Sequence, residues 1–145
     1  MKNITINRIK KLLQDKGLSP SIHRVMVLEY LLKFDSHPSV QTIYSNLSKE
    51  IPTLSKTTVY NILNKFINVG LAKELRIEGN EVRYDGHIEP HAHFKCDQCE
   101  SVLNLRYQCP KFLTREVDGH EIHLRQVNFI GICKECKEIE IRNAI

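Results

Sequence analysis

The residues of this chain best suited to chemistry are two Cys-x-x-Cys pairs, Cys96-Asp97-Gln98-Cys99 and Cys133-Lys134-Glu135-Cys136, with His91-Ala92-His93 just upstream of the first. A two-residue gap lets one tight turn aim both sulfurs of a pair at a single point. Two such knuckles complete a closed tetrahedral Cys₄ shell for Zn²⁺ with bonds of about 2.3 Å. The 33 residues between Cys99 and Cys133 exceed the roughly 15–20 of a compact zinc ribbon, so the site is expected to staple distant strands of one domain. Disulfides or a redox Cys-x-x-Cys fit the pattern less well, because thioredoxin-type chemistry needs a single pair opening a helix. The two histidines mark a second, separate metal site. Cys109, before Pro110, has no cysteine close to it in sequence and is expected to be a free thiol.

The segment from Met1 to Arg8 has neither an apolar signal core nor a small-residue cleavage site, and no stretch approaches the ~18 apolar residues of a membrane span. A cytoplasmic protein is expected, where thiols stay reduced and ligate metals. A chain of 145 residues suits one ordinary domain or two small ones, and charge favours two. Thirteen Lys/Arg face seven Asp/Glu up to Tyr84, a net of +6; eight face ten from Asp85 onward, a net of −2. A basic half joined to an acidic, metal-ligating half suggests a nucleic-acid module followed by a sensing or assembly module.

The elements that must position these groups follow from periodicity and capping. Ile6, Ile9, Leu12 and Leu13 share a stripe of a helix over Thr5 to Lys16 that stops at Gly17. Ser19 and Pro20 are expected to open a second helix with Val25, Leu28, Leu31 and Leu32 inward, and Ser39 to Lys49 form a third. Ser55 caps a fourth, whose core stripe is Val59, Ile62, Leu63, Phe66 and Ile67, with Gly70 as its stop. Lys56, Thr57, Thr58, Tyr60 and Asn61 crowd the other face near its N-terminus, short polar donors and a cation suited to the major groove. Leu71 to Glu78 and Glu81 to Asp85 alternate around Gly79-Asn80 as a β-hairpin. Helices followed by a hairpin describe a winged helix-turn-helix. In the second half Phe94 to Cys96, Ser101 to Leu105 and Ile122 to Ile132 read as strands, with a helix from Pro110 to about Val117. The expected class is α+β: a winged-helix DNA-binding domain over 1–85, a hinge over 86–90, and a small α/β metal-binding domain over 91–145 that dimerises to cover its sheet edges.

The run Leu54-Ser55-Lys56-Thr57-Thr58-Val59-Tyr60-Asn61, then Gly70-Leu71, then His91 through Cys99 and Cys133 through Cys136, resembles the ferric uptake regulator (Fur) family over essentially the whole chain. The resemblance implies a homodimeric, metal-dependent repressor that binds a pseudo-palindromic operator in double-stranded DNA. It also implies structural Zn²⁺ at Cys96, Cys99, Cys133 and Cys136 and a regulatory Fe²⁺ or Mn²⁺. Asn61 after Tyr60 is similar to the family's peroxide-stress branch, where iron-uptake members carry Arg; Asn pairs bidentately with adenine and Arg with guanine. His37, Asp85, His91 and His93 match that branch's regulatory ligands residue by residue. Asn104 departs from it, since the branch has Asp there and iron-uptake members have Glu, and a neutral amide oxygen is a poorer ligand for these ions. Pro90 and Ala92 stand where a third site of some iron-uptake members would need ligands, so two metals per subunit are expected.

In that branch one ion bridges both domains, and peroxide oxidises a ligating histidine, here His37 or His91, to release metal and operator. Iron- and zinc-uptake repressors are the rival readings within the family. A zinc hydrolase or thiol oxidoreductase is a remote one, because no His-Glu-x-x-His or His-x-Glu signature occurs. His23, His87, His120 and His123 are expected as surface or packed residues, with His87 the first to reconsider.

Overall fold

The computed structural model describes residues 4–77, 79, 81–107 and 114–144. They divide into two compact units, Met1–Ile88 and Glu89–Ile145. Among the described residues no helix is long and apolar enough to cross a membrane.

The first unit contains α1 (Ile6–Asp15), α2 (Ile22–Lys33), α3 (Val40–Leu47) and α4 (Lys56–Asn68), then β1 (Lys73–Leu75) paired antiparallel with β2 (Arg83–Asp85). Every helix starts at a hydroxyl cap: the side chains of Thr5, Ser21, Ser39 and Ser55 accept the N–H three residues on. Gly17 and Gly70 both take φ +73°, the left-handed turn that lets the amides of Leu18 and Leu71 reach back to the carbonyls of Leu13 and Phe66. Between these stops the apolar stripes converge. Ile9, Leu13, Leu28, Leu31, Ile43, Leu63 and Phe66 are buried in one cluster that also takes in Tyr84 from β2. The second helix differs from expectation at its start: Ser21, not Ser19, is the cap, and Ser19 instead accepts from the Arg24 guanidinium. The wing strands are shorter than the alternation predicts, and Asn80 of the expected turn lies outside the described residues.

The second unit is built on a three-stranded sheet in the order β4-β3-β7. The central β3 (Ala92–Cys96) runs antiparallel to β4 (Val102–Leu105) and parallel to β7 (Val127–Gly131). Two elements correct the sequence reading. Glu116–Val117 forms β5, paired with β6 (His120–Glu121) in a small hairpin, where a helix reaching Val117 was expected; residues 110–113 of that helix, and Cys109, lie outside the described residues. A helix α5 (Lys134–Asn143) follows β7, without a forecast in sequence. The expected strand from Ile122 shrinks to β7; the Ile122 amide instead donates to the Arg115 carbonyl at 2.9 Å, at the end of the β5–β6 hairpin.

Burial differs sharply between the units. Among the described residues the second unit fully buries only Ala92, Cys96, Val102 and Cys133 of its apolar side chains, while the first owns the large core. Phe66, at 0% exposure in the centre of that core, is expected to cost about 3–5 kcal/mol when cut to Ala. Chemical denaturation followed by circular dichroism, which here reports mainly the four N-terminal helices, measures it.

Candidate metal centres and nucleic-acid interface

The thiol cluster follows from the parallel pairing of β3 with β7. Their register sets Cys96 opposite Gly131, so the first knuckle and the start of the second leave the sheet at the same end. The chain turns back after Cys96 through Glu100, which takes φ +58°, and the Glu100 amide donates to the Cys96 carbonyl at 3.0 Å. That turn delivers Cys99. At the other knuckle Cys133 is the N-cap of α5, its sulfur accepting from the Cys136 amide at 3.4 Å. The Cys133 amide in turn donates to Cys96 Sγ at 3.3 Å.

All four sulfurs lie within 4.8 Å of one another, and Cys99 Sγ to Cys133 Sγ is 3.8 Å. Bonds of about 2.3 Å to a tetrahedral ion require sulfur-to-sulfur edges of about 3.8 Å, so the cluster fits Zn²⁺. None of the four forms a disulfide. Hydrogen bonds from the backbone amides of Cys99 and Cys133 lower the Cys96 pKa, whereas sharing a hydrogen bond with Cys133, together with burial, raises that of Cys136. Four thiols this close cannot all ionise without a cation among them.

The histidines and Asp85 divide between the two units. In the first, His37 follows the end of α2 at φ +46°, a left-handed conformation that a non-glycine residue enters at a cost and that turns its imidazole inward. The Tyr84 amide donates to the Pro38 carbonyl at 3.0 Å and so ties β2 to this loop. Asp85 ends β2 beside it. His37 is 2% exposed and Asp85 3%, and His37 Nε2 stands 3.8 Å from Asp85 Oδ2, beyond a hydrogen bond and within the span of two bonds of about 2.0–2.2 Å to one ion. In the second unit His91 and His93 have their ring centroids 4.5 Å apart, and the Glu89 carbonyl accepts from His91 Nδ1 at 2.7 Å, which puts the ring's lone pair on Nε2.

Asn104 lies directly across β3–β4 from His93, on the same face of the sheet, although its side chain is exposed. Asn128, which sequence reasoning did not single out, flanks His93 from β7. Period-two alternation alone sets Asn128 on the opposite face from Val127 and Phe129, the one signal available for it. His87 also lies beside Asp85, its backbone N–H donating to Asp85 Oδ1 at 2.7 Å. By contrast His23 bonds Thr53 through Nε2 at 3.0 Å, and His120 is exposed in β6.

At the N-terminus of α4, Lys56, Thr57, Tyr60 and Asn61 are exposed. Thr58 is half-buried, with its hydroxyl 2.8 Å from Ser55 Oγ, where it serves the cap. The Lys56 ammonium lies over the Tyr44 ring, 5.8 Å from its centroid.

Known proteins resemble this chain in sequence and fold. The model of the ferric uptake regulator family matches residues 15–130. A peroxide-responsive repressor, PerR, of Staphylococcus epidermidis is 30% identical over 131 residues, covering 87% of this chain and 86% of its own. The ferric uptake regulator of Francisella tularensis, solved with iron, superposes with a TM-score of 0.66 at 26% identity over 83% of this chain and 96% of its own. The Helicobacter pylori regulator Fur shares the fold, with a TM-score of 0.68 at 21% identity over 94% of this chain and 97% of its own. With the family match spanning most of its length, the chain belongs to the ferric uptake regulator family and is a transcriptional regulator rather than an enzyme.

Proposed function

We propose that this chain is a metal-dependent repressor of the peroxide-stress kind, acting as a cytoplasmic homodimer on a pseudo-palindromic operator in double-stranded DNA. Structural Zn²⁺ is assigned to Cys96, Cys99, Cys133 and Cys136. The His37–Asp85 pair of the first unit and the His91–His93 pair of the second ligate one regulatory Fe²⁺ or Mn²⁺, with Asn104 as a weak further ligand or a bystander. The observation that carries this reading is the buried imidazole–carboxylate pair, His37 with Asp85, set 3.8 Å apart at the end of the wing.

Drawing ligands from both units gives such an ion its leverage, because occupancy then favours one arrangement of a dimer over others, and a coupling of ~1–3 kcal/mol changes operator affinity by roughly 5–150-fold. An Fe²⁺ bound by these residues would supply the redox chemistry toward H₂O₂, and the imidazoles of His37 and His91 are the side chains set to be oxidised. The chain's own contribution is placement. The left-handed backbone at His37 and the Glu89 carbonyl on His91 hold each ring in place, so damage to either ring removes a ligand from the site. The similarity to PerR supports this branch. The neutral, exposed Asn104 opposite His93 favours the second reading, an iron- or zinc-uptake repressor, because it withholds a carboxylate from the site.

Dimerisation is supported by the apolar side chains that the second unit leaves uncovered. Leu103, Tyr107 and Phe129 are each about 40% exposed or more, and the Tyr107 and Phe129 rings meet edge to face at 5.3 Å. A face of this kind on a sheet with so little core of its own is expected to be covered by a second copy. DNA binding through α4 is supported by the exposed Lys56, Thr57, Tyr60 and Asn61 and by the basic balance of the first half.

Three outcomes are expected. Cys96→Ser removes a corner of the thiol cluster and loses zinc, with dimer and C-terminal fold lost together; metal analysis beside sedimentation measures both, and a stable, zinc-free dimer would sink the assignment. Asn61→Ala weakens binding to a selected operator by about 1–3 kcal/mol and relaxes base choice, whereas Lys56→Ala weakens all sequences alike and flattens the salt dependence, as read by fluorescence anisotropy across salt. Peroxide adds one oxygen to a tryptic peptide carrying His37 or His91 in the iron-loaded protein and not in the manganese-loaded one. Iron-loaded protein that keeps both histidines and its operator through peroxide belongs instead with the metal-uptake repressors.

A further inference from the structure

We propose that His87 is a positioning residue of the regulatory site, a strut joining the two segments that carry His37 and Asp85. The proposal rests on the reading of those two residues as ligands and deepens it. The Asp85 carboxylate is divided between two partners. Its Oδ1 accepts the His87 backbone N–H at 2.7 Å and lies 3.3 Å from the His87 ring nitrogen Nδ1, while Oδ2 faces His37 Nε2 at 3.8 Å. The other ring nitrogen of His87, Nε2, lies 3.4 Å from Oδ1 of Asp35, two residues before His37. The imidazole thus closes a circuit running from Asp35 through His87 to Asp85 and across to His37.

This circuit answers two mechanical needs of a preformed half-site. A carboxylate turns readily about its terminal torsion, and fixing one oxygen decides which lone pairs the other presents to an ion. His37 holds an unfavourable backbone conformation, φ +46°, which persists only where its surroundings over-determine it; the anchor on Asp35 and the Tyr84–Pro38 hydrogen bond grip the loop from both sides of His37. Orientation of Asp85 carries unusual weight here. Among His37, Asp85, His91, His93 and Asn104 it is the one formal negative charge, since Asn104 brings an amide. His87 is itself no ligand in this arrangement, because both its nitrogens face carboxylate oxygens of Asp85 and Asp35.

The test titrates Mn²⁺ into full-length, zinc-containing parent, His87→Val, His87→Gln and His91→Ala proteins. Bound ion is followed by electron paramagnetic resonance, with zinc content and melting temperature measured alongside. The expected result is a roughly 10–100-fold loss of Mn²⁺ affinity in His87→Val with zinc content and melting temperature unchanged. His87→Gln, whose amide N–H can still donate to Asp85, recovers part of that loss, and the number of histidine nitrogens coupled to saturating Mn²⁺ stays that of the parent. Equal affinity in parent and His87→Val overturns the proposal. So does the loss of one coupled nitrogen in His87→Val, which would make His87 a ligand, or an affinity loss that follows a lowered melting temperature without rescue by Gln, which would make it only structural. A parent that binds no Mn²⁺, or a His91→Ala protein that binds it as well as the parent, strikes instead at the ligand reading and takes the role of His87 with it.

Discussion

Four sulfurs packed within one ion's reach are the constraint on which the second half of this protein depends. Without a cation the cluster is a liability, because ionising one thiol discourages the next; with Zn²⁺ the same crowding becomes a covalent-grade cross-link. A unit that fully buries only Ala92, Cys96, Val102 and Cys133 among its described apolar residues has little else to hold it. The ladder of β3 with β7 brings the knuckles to one end of the sheet, and Cys133 caps α5 while offering its sulfur. Helix, sheet and metal site are therefore one cooperative object, and a change at any of the four cysteines is felt by all three.

The first unit works differently. Its four capped helices share one apolar core, which holds α4 and the His37–Asp85 pair on packed elements. His37 and Asp85 are buried polar groups at the rim of that core, beside Tyr84. Burial of an imidazole and a carboxylate is unfavourable without polar partners, and Asp85 has one in the His87 amide.

Much of this was legible before any coordinates. The knuckles are local, so spacing alone reveals them. Each N-terminal helix carries its own hydroxyl cap, α1 and α4 stop at Gly17 and Gly70, and the stripes of these two helices fall where the 3.6-residue period puts them. The failures have physical causes. Helix α5, with the sequence KECKEIEIRN, lacks a buried stripe, and its cap is a cysteine rather than a hydroxyl. The second helix offered two serines, and Ser21 won because Ser19 was taken by Arg24. Val117 reads as a helix end but pairs with His120 across a turn at Asp118 and Gly119. Asn128 meets His93, and His87 meets Asp35, only through the fold, across a distance that periodicity does not see.

The parallel pairing of β3 with β7 also sets an order of events in time. Ala92 pairs with Val127, a long excursion that must be closed before the ladder rewards it, and such topologies form slowly compared with short helices in local contact. On the ribosome, where synthesis runs at roughly 5–20 residues per second and domains fold as they emerge, the helical unit can finish while the partner of its neighbour's central strand is still unmade. Zinc then has nothing complete to bind until Cys136 has left the exit tunnel, so a nascent chain displays α4 on a finished core well before its second unit can acquire its cross-link.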